Sequence, residues 1–520
     1  MTSLNLLRVV TTLLLVLTVT PRVAVGQAFV HPGVFHTSAS LDRMKAMVAA
    51  GTEPYTTGWK KLLADPRAKA TYTPHPYAMI QRIPDTVSYD ALNSDAKAAH
   101  MNAIEWVVTG NTSFASEAVS ILNAWSSTLT TIPSTGDPVL SAGLTGYHLA
   151  AAAEILRATY PSWATADIDR LKALLLNTFT PIFHNFLLYH EPDGLPHTNT
   201  GVNQHFFTSW DAIAMVSMAA IGVFGDDRGK YQEAVNAFEN GTGNGNIMRA
   251  VFDGNTGQLQ ESGRDPEHAQ LGIGELAALC EIAWNQGDDL YGYAGSRLLK
   301  GFEYTASYLL GNTVPFTTYT DPFRTDATIS AESTPAQIAG AMSNPRPIYE
   351  MVWNHYVNRR GLAAPFTKQI ADKIRPEGYN GDHLGFGTIL FTLPVSVGAG
   401  TGGAGGGGGT SGVGGAIGTG GGFGGTGAGG VGGAGGSMGT GGHGGAGAAG
   451  STGTGGAGLA VGGAGGGAGT RTGVSSTATT GGCACVIASE PADRGLAGLI
   501  LFGLSVVYLR RRPRHGHSSR

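Results

Sequence analysis

Apolar residues recur at helical spacing along most of the chain between residues 41 and 310. No run of alternating apolar and polar residues with hairpin turns competes with this pattern. Short polar breaks separate consecutive segments, so an all-α fold is expected, in the form of an α/α toroid (an incomplete barrel of helical hairpins), with a plain bundle as the alternative. The predicted helices cover residues 41–63, 96–108, 113–129, 140–159, 167–188, 206–224, 272–284 and 296–310.

Two loops between these helices contain Gly and Pro, and the first of them also contains two histidines. They cover residues 189–204 and 255–266. Asp265 and Pro266 at the end of the second loop predict the capped start of a helix. Because functional side chains are concentrated in loops on a rigid scaffold, we expect both loops at one mouth of the toroid.

Composition divides the chain of 520 residues into four parts. Residues 27–396 have ordinary globular composition and form the expected catalytic domain. Most of the 81 glycines fall in residues 397–482, which bury too little apolar surface to fold. We expect this Gly-rich stretch to be a disordered linker, or stalk. Residues 1–26 and 483–520 form the two ends.

The amino-terminal end has the pattern of a secretory signal peptide. Arg8 precedes an apolar run at residues 9–19, and Ala24 and Gly26 are small residues at the −3 and −1 positions of a cleavage site. This pattern predicts an exported protein whose mature chain begins near Gln27.

The carboxyl-terminal end combines Cys483 and Cys485, an apolar run at residues 495–509 and a cluster of arginines. As a helix, the run would be about 22 Å long, against a hydrocarbon core of about 30 Å. The order of these features resembles the MYXO-CTERM class of sorting tails. That resemblance implies processing near the two cysteines by sorting machinery. The chain would reach the cell surface, the outer membrane or the medium, with the hydrophobic helix holding it in a membrane before processing. A simple anchor helix is the alternative.

Charge and cysteine content narrow the function. The formal net charge of −4 gives no basic field, so nucleic acid is not an expected partner. The globular part holds only Cys280, in an apolar run, so it has no internal disulfide and no evident catalytic thiol. The sequence contains no convincing set of metal ligands, and we expect no cofactor and no metal.

Three clusters carry side chains suited to chemistry. Residues 260–270 contain Glu261, Arg264 and His268 at the start of a predicted helix. Residues 199–207 place Asn203, Gln204 and His205 just before an apolar helix, with Trp210 in its first turn. Residues 349–356 end in His355 and Tyr356. An ordinary capped helix, a buried histidine and core packing are the respective alternatives.

These clusters belong to a longer resemblance, most distinctive at Gln260-Glu261-Ser262-Gly263-Arg264-Asp265. The chain resembles the alginate-lyase-like superfamily of polysaccharide lyases, closest to the branch that includes glucuronan lyases. The resemblance implies an α/α toroid that cleaves an acidic polysaccharide beside a uronic acid by β-elimination. Matching pieces lie at residues 123–129, 220–224, 280–287, 289–293, 298–305, 314–316, 354–359, 375–378 and 382–388.

The residue types suit that reaction. Removal of the C5 proton builds charge on the uronate carboxylate, so the site needs cationic or amide donors, a base, and an acid for the departing C4 oxygen. Asn203, Gln204 and His205 resemble the Asn-Asn-His motif of classical alginate lyases, with Gln204 replacing the second Asn. There the amide and the His neutralise the carboxylate, and the His is a candidate base. Arg264 matches the family's cleft arginine.

The catalytic acid is not decided by this comparison. The classical pattern has a tyrosine seven residues after the arginine, where this chain has Leu271. His268 is the leading substitute, and three tyrosines remain open: Tyr356, Tyr291 and Tyr293. The expected catalytic residues are His205, Arg264, His268 and Tyr356. The expected substrate-binding residues are Asn203, Gln204, Trp210, Glu261 and His355.

Two other classes of function remain open from sequence. A glycoside hydrolase on the same toroid would pair Glu261 with Asp265 or Asp211. A non-catalytic surface protein would bind polysaccharide without cutting it.

Overall fold

A computed structural model describes residues 28–198, 206–320, 328–329 and 345–394. The predicted signal peptide at 1–26, linker at 397–482 and tail at 483–520 lie outside the described residues, and their assignments stay predictions.

Helices dominate the described ranges. In chain order they are α1 (Ser38–Ala49), α2 (Tyr55–Leu63), α3 (Val87–Thr109), α4 (Thr112–Thr128), α5 (Pro138–Thr159), α6 (Thr165–Leu174), α7 (Thr180–Tyr189), α8 (Thr208–Gly225), α9 (Arg228–Asn240), α10 (Ile247–Ala250), α11 (Pro266–Gln286), α12 (Tyr293–Leu309), α13 (Tyr349–Trp353), α14 (Pro365–Ile374) and α15 (Gly387–Leu390). Turns of π-helix lie at Leu175–Phe179 and Asn354–Arg359. Two short antiparallel strands, β1 (Tyr319–Thr320) and β2 (Thr328–Ile329), pair with each other.

Four helices form the inner layer of an α/α toroid. Helix α3 packs on α5, α5 on α8, and α8 on α11. Each is also packed against a helix adjacent in sequence: α4 on both α3 and α5, α7 and α9 on α8, and α12 on α11. Successive hairpins therefore add one inner and one outer helix, which confirms the predicted all-α architecture.

The sequence explains which helices are inside. Helices α5 and α8 are apolar on all sides and almost wholly buried, as a helix surrounded by other helices must be. Gly143 allows their close contact, because a Cβ added there would lie 2.1 Å from Cγ2 of Ile213. Within the described residues, these two helices are also long and apolar enough to cross a membrane, but they are 100% and 94% buried inside the domain. They are core helices.

The main departure from the predicted helices is at residues 41–63. This segment is two helices, because α1 ends at Ala49 and α2 begins at Tyr55. Between them Gly51 adopts a positive φ of 65° and Pro54 precedes the first residue of α2. Both residues break helical geometry, and the periodic apolar pattern continues across the break.

Candidate active site at the start of helix α11

Helix α11 begins at a cap formed by Asp265. Its carboxylate accepts hydrogen bonds from the backbone amides of Glu267 (2.8 Å) and His268 (3.4 Å), and Pro266 occupies the first turn. This is the cap predicted from sequence. It places Arg264 immediately before the helix and His268 one turn inside it, at the positive end of the helix dipole.

Arg264 is held in place and still reaches solvent. Its Nη1 donates to Oε1 of buried Glu261 at 2.8 Å, and its guanidinium lies 4.6 Å from the ring centroid of Phe207. The Arg264 side chain is 35% exposed, against 1% for Glu261. Burial raises the pKa of Glu261, while Arg264 and His268 act in the opposite direction. Arg264 is therefore a positioned cation at an accessible surface.

His268 is oriented by the capping residue. Its Nδ1 lies 2.6 Å from Oδ2 of Asp265. Although burial raises the pKa of Asp265, hydrogen bonds from His268 and from the amides of Glu267 and His268 lower it to about 2. Asp265 is therefore ionised and accepts from Nδ1–H, so in the neutral ring Nε2 is the basic nitrogen. This geometry suits a proton-transferring group.

The start of α8 lies beside this cluster because one asparagine ties the segments together. The side-chain amide of Asn244 donates to the carbonyl of Phe206 at 2.8 Å, and the main-chain carbonyl of Asn244 accepts from the side chain of Gln260 at 3.1 Å. Phe207 is thereby held next to Arg264. Trp210, expected to bind substrate, is only 6% exposed and stacks on Phe206 with centroids 4.4 Å apart. It supports this wall and offers little surface to a sugar.

Three expected site residues lie outside the described residues: Asn203, Gln204 and His205. In the sequence, His205 is two residues before Phe207. Their assignments stay predictions.

Tyr356 and His355 are not brought to this cluster. Tyr356 is 1% exposed and donates its hydroxyl to the carbonyl of Tyr291 at 2.8 Å. His355 is fully buried and stacks on Tyr291 with centroids 3.7 Å apart. Burial lowers the pKa of His355 to about 3, with Arg359 acting in the same direction. Both residues pack near the carboxyl end of α11, so the expectation that they contact substrate is not supported.

The positions of the four candidates for the catalytic acid also distinguish them. The hydroxyl of Tyr291 is buried against Ala277 and Glu281, and that of Tyr293 donates to the carbonyl of Glu239. Leu271 is buried in the core. Of the four open candidates, His268 is therefore the one that the structure places beside Arg264.

A buried polar network behind His268 is the part that sequence reasoning missed. Arg346 donates through Nε to the carbonyl of Glu267 at 2.9 Å and pairs with Asp382 at 2.6 Å. Tyr147 donates to the carbonyl of Asp382 at 2.8 Å. Lys97, wholly buried on α3, donates to the carbonyl of Gly381 at 2.7 Å. The sequence signal was Lys97 itself, a charged residue beside Ala96, Ala98 and Ala99 in a predicted helix.

The three carboxylates that a hydrolase would need are bound to other groups or buried. Glu261 binds Arg264, and Asp265 caps α11 and binds His268. Asp211 is 2% exposed. Within the described ranges, no three His, Cys, Asp or Glu side chains converge on a position for a metal ion.

The sequence profile of the alginate lyase family matches residues 54–316, half of the chain. This protein belongs to the alginate lyase family. It is therefore a polysaccharide lyase, and the matched region contains Arg264 and His268. The hydrolase alternative does not agree with this membership.

Solved structures similar to this alginate lyase family member have low sequence identity. Alginate lyase A1-III from Sphingomonas species A1 is 15% identical with a TM-score of 0.48, covering 68% of this chain and 95% of that one. A histidine-to-alanine variant of that enzyme complexed with a tetrasaccharide has 16% sequence identity and a TM-score of 0.47, and the match covers 68% of this chain and 94% of that one. An alginate lyase from Bacteroides ovatus has 14% sequence identity and a TM-score of 0.47, and the match covers 69% of this chain and 99% of that one. A search of curated protein sequences finds no match.

A change at Asp265 separates its two roles. Asp265→Asn should keep the cap, since Asn caps helices as well as Asp, but it removes the charge that orients His268. We expect kcat to fall about 10- to 100-fold with thermal stability nearly unchanged. Asp265→Ala should lower kcat similarly and also destabilise the domain by about 1 kcal/mol. Full activity in Asp265→Asn, measured beside its melting temperature, would show that His268 needs no orientation by this carboxylate.

Proposed function

We propose that this lyase cleaves a uronic-acid polysaccharide, alginate or glucuronan, by β-elimination at the start of α11. The observation that carries the proposal is the pairing of a held, partly exposed Arg264 with an oriented His268 at a positive helix end. A substrate carboxylate is attracted to such a position by both the guanidinium and the helix dipole.

Each role follows from the chemistry. Arg264, with Asn203 or Gln204, neutralises the uronate carboxylate as the C5–H bond breaks. His205 is the proposed base that accepts the C5 proton, and the C5–H electrons form the C4–C5 double bond. The C4–O bond then breaks, and His268 in its protonated form gives the proton on Nε2 to the departing oxygen, while Asp265 stays bound to Nδ1–H. The product carries an unsaturated uronate at its new non-reducing end.

The test is to incubate the full chain with alginate and with glucuronan and follow the ultraviolet absorbance of the unsaturated product. We expect absorbance to rise with one of the two polymers. His205→Ala should lower the rate about a hundredfold, since its carboxylate contact and proton transfer are lost. New reducing ends without absorbance would indicate hydrolysis and contradict the proposal. Binding without either signal would indicate a non-catalytic surface protein.

Export and sorting are a second proposal, supported by the sequence of the two ends. Residues 1–26 direct export, and residues 483–520 pass the chain to sorting machinery after its hydrophobic helix has entered the membrane. The linker at 397–482 then holds the catalytic domain away from the surface. Cys483→Ala with Cys485→Ala should leave the tail uncleaved. Mass spectrometry of the exported protein measures this directly, and normal processing of the double variant would exclude the cysteines.

A further inference from the structure

A cavity of about 250 Å³ lies at the opposite end of α11 from Arg264. Its walls include Arg43 of α1, Trp284 and Asn285 of α11, and Arg359. The volume equals roughly eight water molecules at their liquid volume of about 30 Å³ each. This is room for one sugar ring and its substituents.

The cavity is separate from the candidate active site. His268 and Trp284 are 16 residues apart on one helix. At a rise of about 1.5 Å per residue, they are separated by roughly 24 Å. A ligand of this size bound at one end of α11 therefore does not reach the other.

The charge of the walls favours an anion. Arg359 is neutralised by Glu281, whose two carboxylate oxygens each accept from it at 2.8 Å. Arg43 donates through Nε to the hydroxyl of Tyr55 at 3.2 Å, and no carboxylate in the described ranges lies within ion-pair distance of it. One positive charge in the wall is thus uncompensated. A carboxylate binding Arg43 would supply the missing partner.

The start of α1 lies at the same wall. Thr37, the N-cap of α1, and Ala39, in its first turn, line the cavity. The amides of Ser38 and Ala39 have no acceptor earlier in the helix, since the first amides of any helix lack one. They add a second source of positive potential to that of Arg43.

The remaining walls suit a sugar ring. Trp284 is half-buried and Phe391 lies nearby in the wall, so apolar ring faces are present. Asn285 donates its amide nitrogen to the carbonyl of Val34 at 3.1 Å, and its amide oxygen is of the type that accepts from hydroxyl groups. Aromatic surface beside a carboxylate receptor is the combination that recognises a sugar acid.

The geometry points to a second binding site, in which this cavity takes a single hexuronate residue. Its carboxylate binds Arg43 and the first amides of α1, and its ring lies against Trp284. Glu281, the carboxylate in the cavity wall, has both oxygens bound to Arg359, so we expect the site to bind the sugar without cleaving it. It does not depend on the proposed elimination.

The test is calorimetric titration of the full chain carrying Arg264→Ala, which weakens carboxylate binding at the candidate active site. D-glucuronate should bind with saturation, and D-glucose, which lacks the carboxylate, should not. Arg43→Gln should weaken glucuronate binding at least tenfold, and Arg43→Lys by only a few fold. Lys45→Gln is the matched control, since it removes an exposed positive charge from the same helix outside the cavity.

Three results would overturn the proposal. Glucuronate binding that is absent, or that is unchanged in Arg43→Gln, removes the site. Inorganic phosphate that binds as tightly as glucuronate and with the same dependence on Arg43 shows a general anion site. The loss of binding in Arg43→Gln counts only if this variant melts at the same temperature as its parent. If it unfolds, the comparison of glucuronate with glucose and with phosphate on the parent decides the proposal.

Discussion

Arg264→Ala is expected to lower kcat/KM on the polyuronate substrate about a thousandfold. Removing one donor that stabilises developing charge costs roughly 10²–10³ in rate, and this donor is also a full positive charge. Arg264→Lys should recover part of the loss, because Lys keeps the charge but not two parallel hydrogen bonds. Initial rates of unsaturated-product formation measure both. Activity within tenfold of the wild type in Arg264→Ala would remove Arg264 from the reaction.

A change at Glu261 tests whether Arg264→Ala loses activity through lower stability. Arg264→Ala leaves the buried Glu261 carboxylate without this cation, so the variant should also lose about 1–3 kcal/mol of stability. Glu261→Gln removes that buried charge. The double variant Arg264→Ala with Glu261→Gln should therefore melt close to the wild type and stay inactive. If the double variant regains activity, the single variant failed through stability and the catalytic assignment is wrong.

The second large effect concerns stability in mild acid. Burial lowers the pKa of four histidines: His36, His100, His148 and His355. Positively charged neighbours, including Arg43, Lys97 and Arg359, act in the same direction. Each histidine is neutral in the folded chain and takes up a proton on unfolding below pH of about 6.5. Above that pH the neutral histidines cost no stability. As the pH falls toward the pKa that each histidine has in the folded state, the free energy of unfolding decreases.

The size of the acid effect depends on how far the pKa of each histidine in the folded state lies below its unfolded value of about 6.5. The pKa of His100 is lowered to about 4 and that of His355 to about 3. Each depressed histidine removes up to about 1.4 kcal/mol per pH unit within its window. Glu105 and Glu377 oppose this, because burial raises the pKa of each to about 7 and they gain protons in the folded state first. Glu117, Asp137, Glu239 and Glu261 also have raised pKa values and act in the same direction as these two. The net slope is therefore the difference between the two sets, and the contribution of one histidine is measured in a single variant.

Urea unfolding at a series of pH values tests this account. His100→Gln should flatten the fall in unfolding free energy by about 1.4 kcal/mol per pH unit between about pH 6 and 4.5. His75→Gln is the matched control, since the side chain of His75 is 63% exposed. Equal slopes for the wild type and His100→Gln would show that His100 is not neutral in the folded protein.

Local sequence was sufficient for much of the candidate site. Asp265, Pro266 and the apolar positions that follow predict where α11 starts, and that start alone places Arg264 and His268 within one turn. The cap forms between residues two and three positions apart, so it needs no tertiary contact. The apolar pattern did not predict the break between α1 and α2. Gly51 and Pro54 interrupt the helical backbone there, while the apolar spacing continues across them.

The sequence by itself determined the helical architecture, the capped start of α11 and the family of polysaccharide lyases. These depend on periodicity, capping and motifs, which are read within a few residues. Tertiary structure decided that His355 and Tyr356 pack near the far end of α11, and that Lys97, Arg346 and Asp382 meet behind His268. These contacts join residues far apart in the chain, so packing of the inner helices, which no local pattern specifies, decides whether a polar residue contacts substrate or is buried.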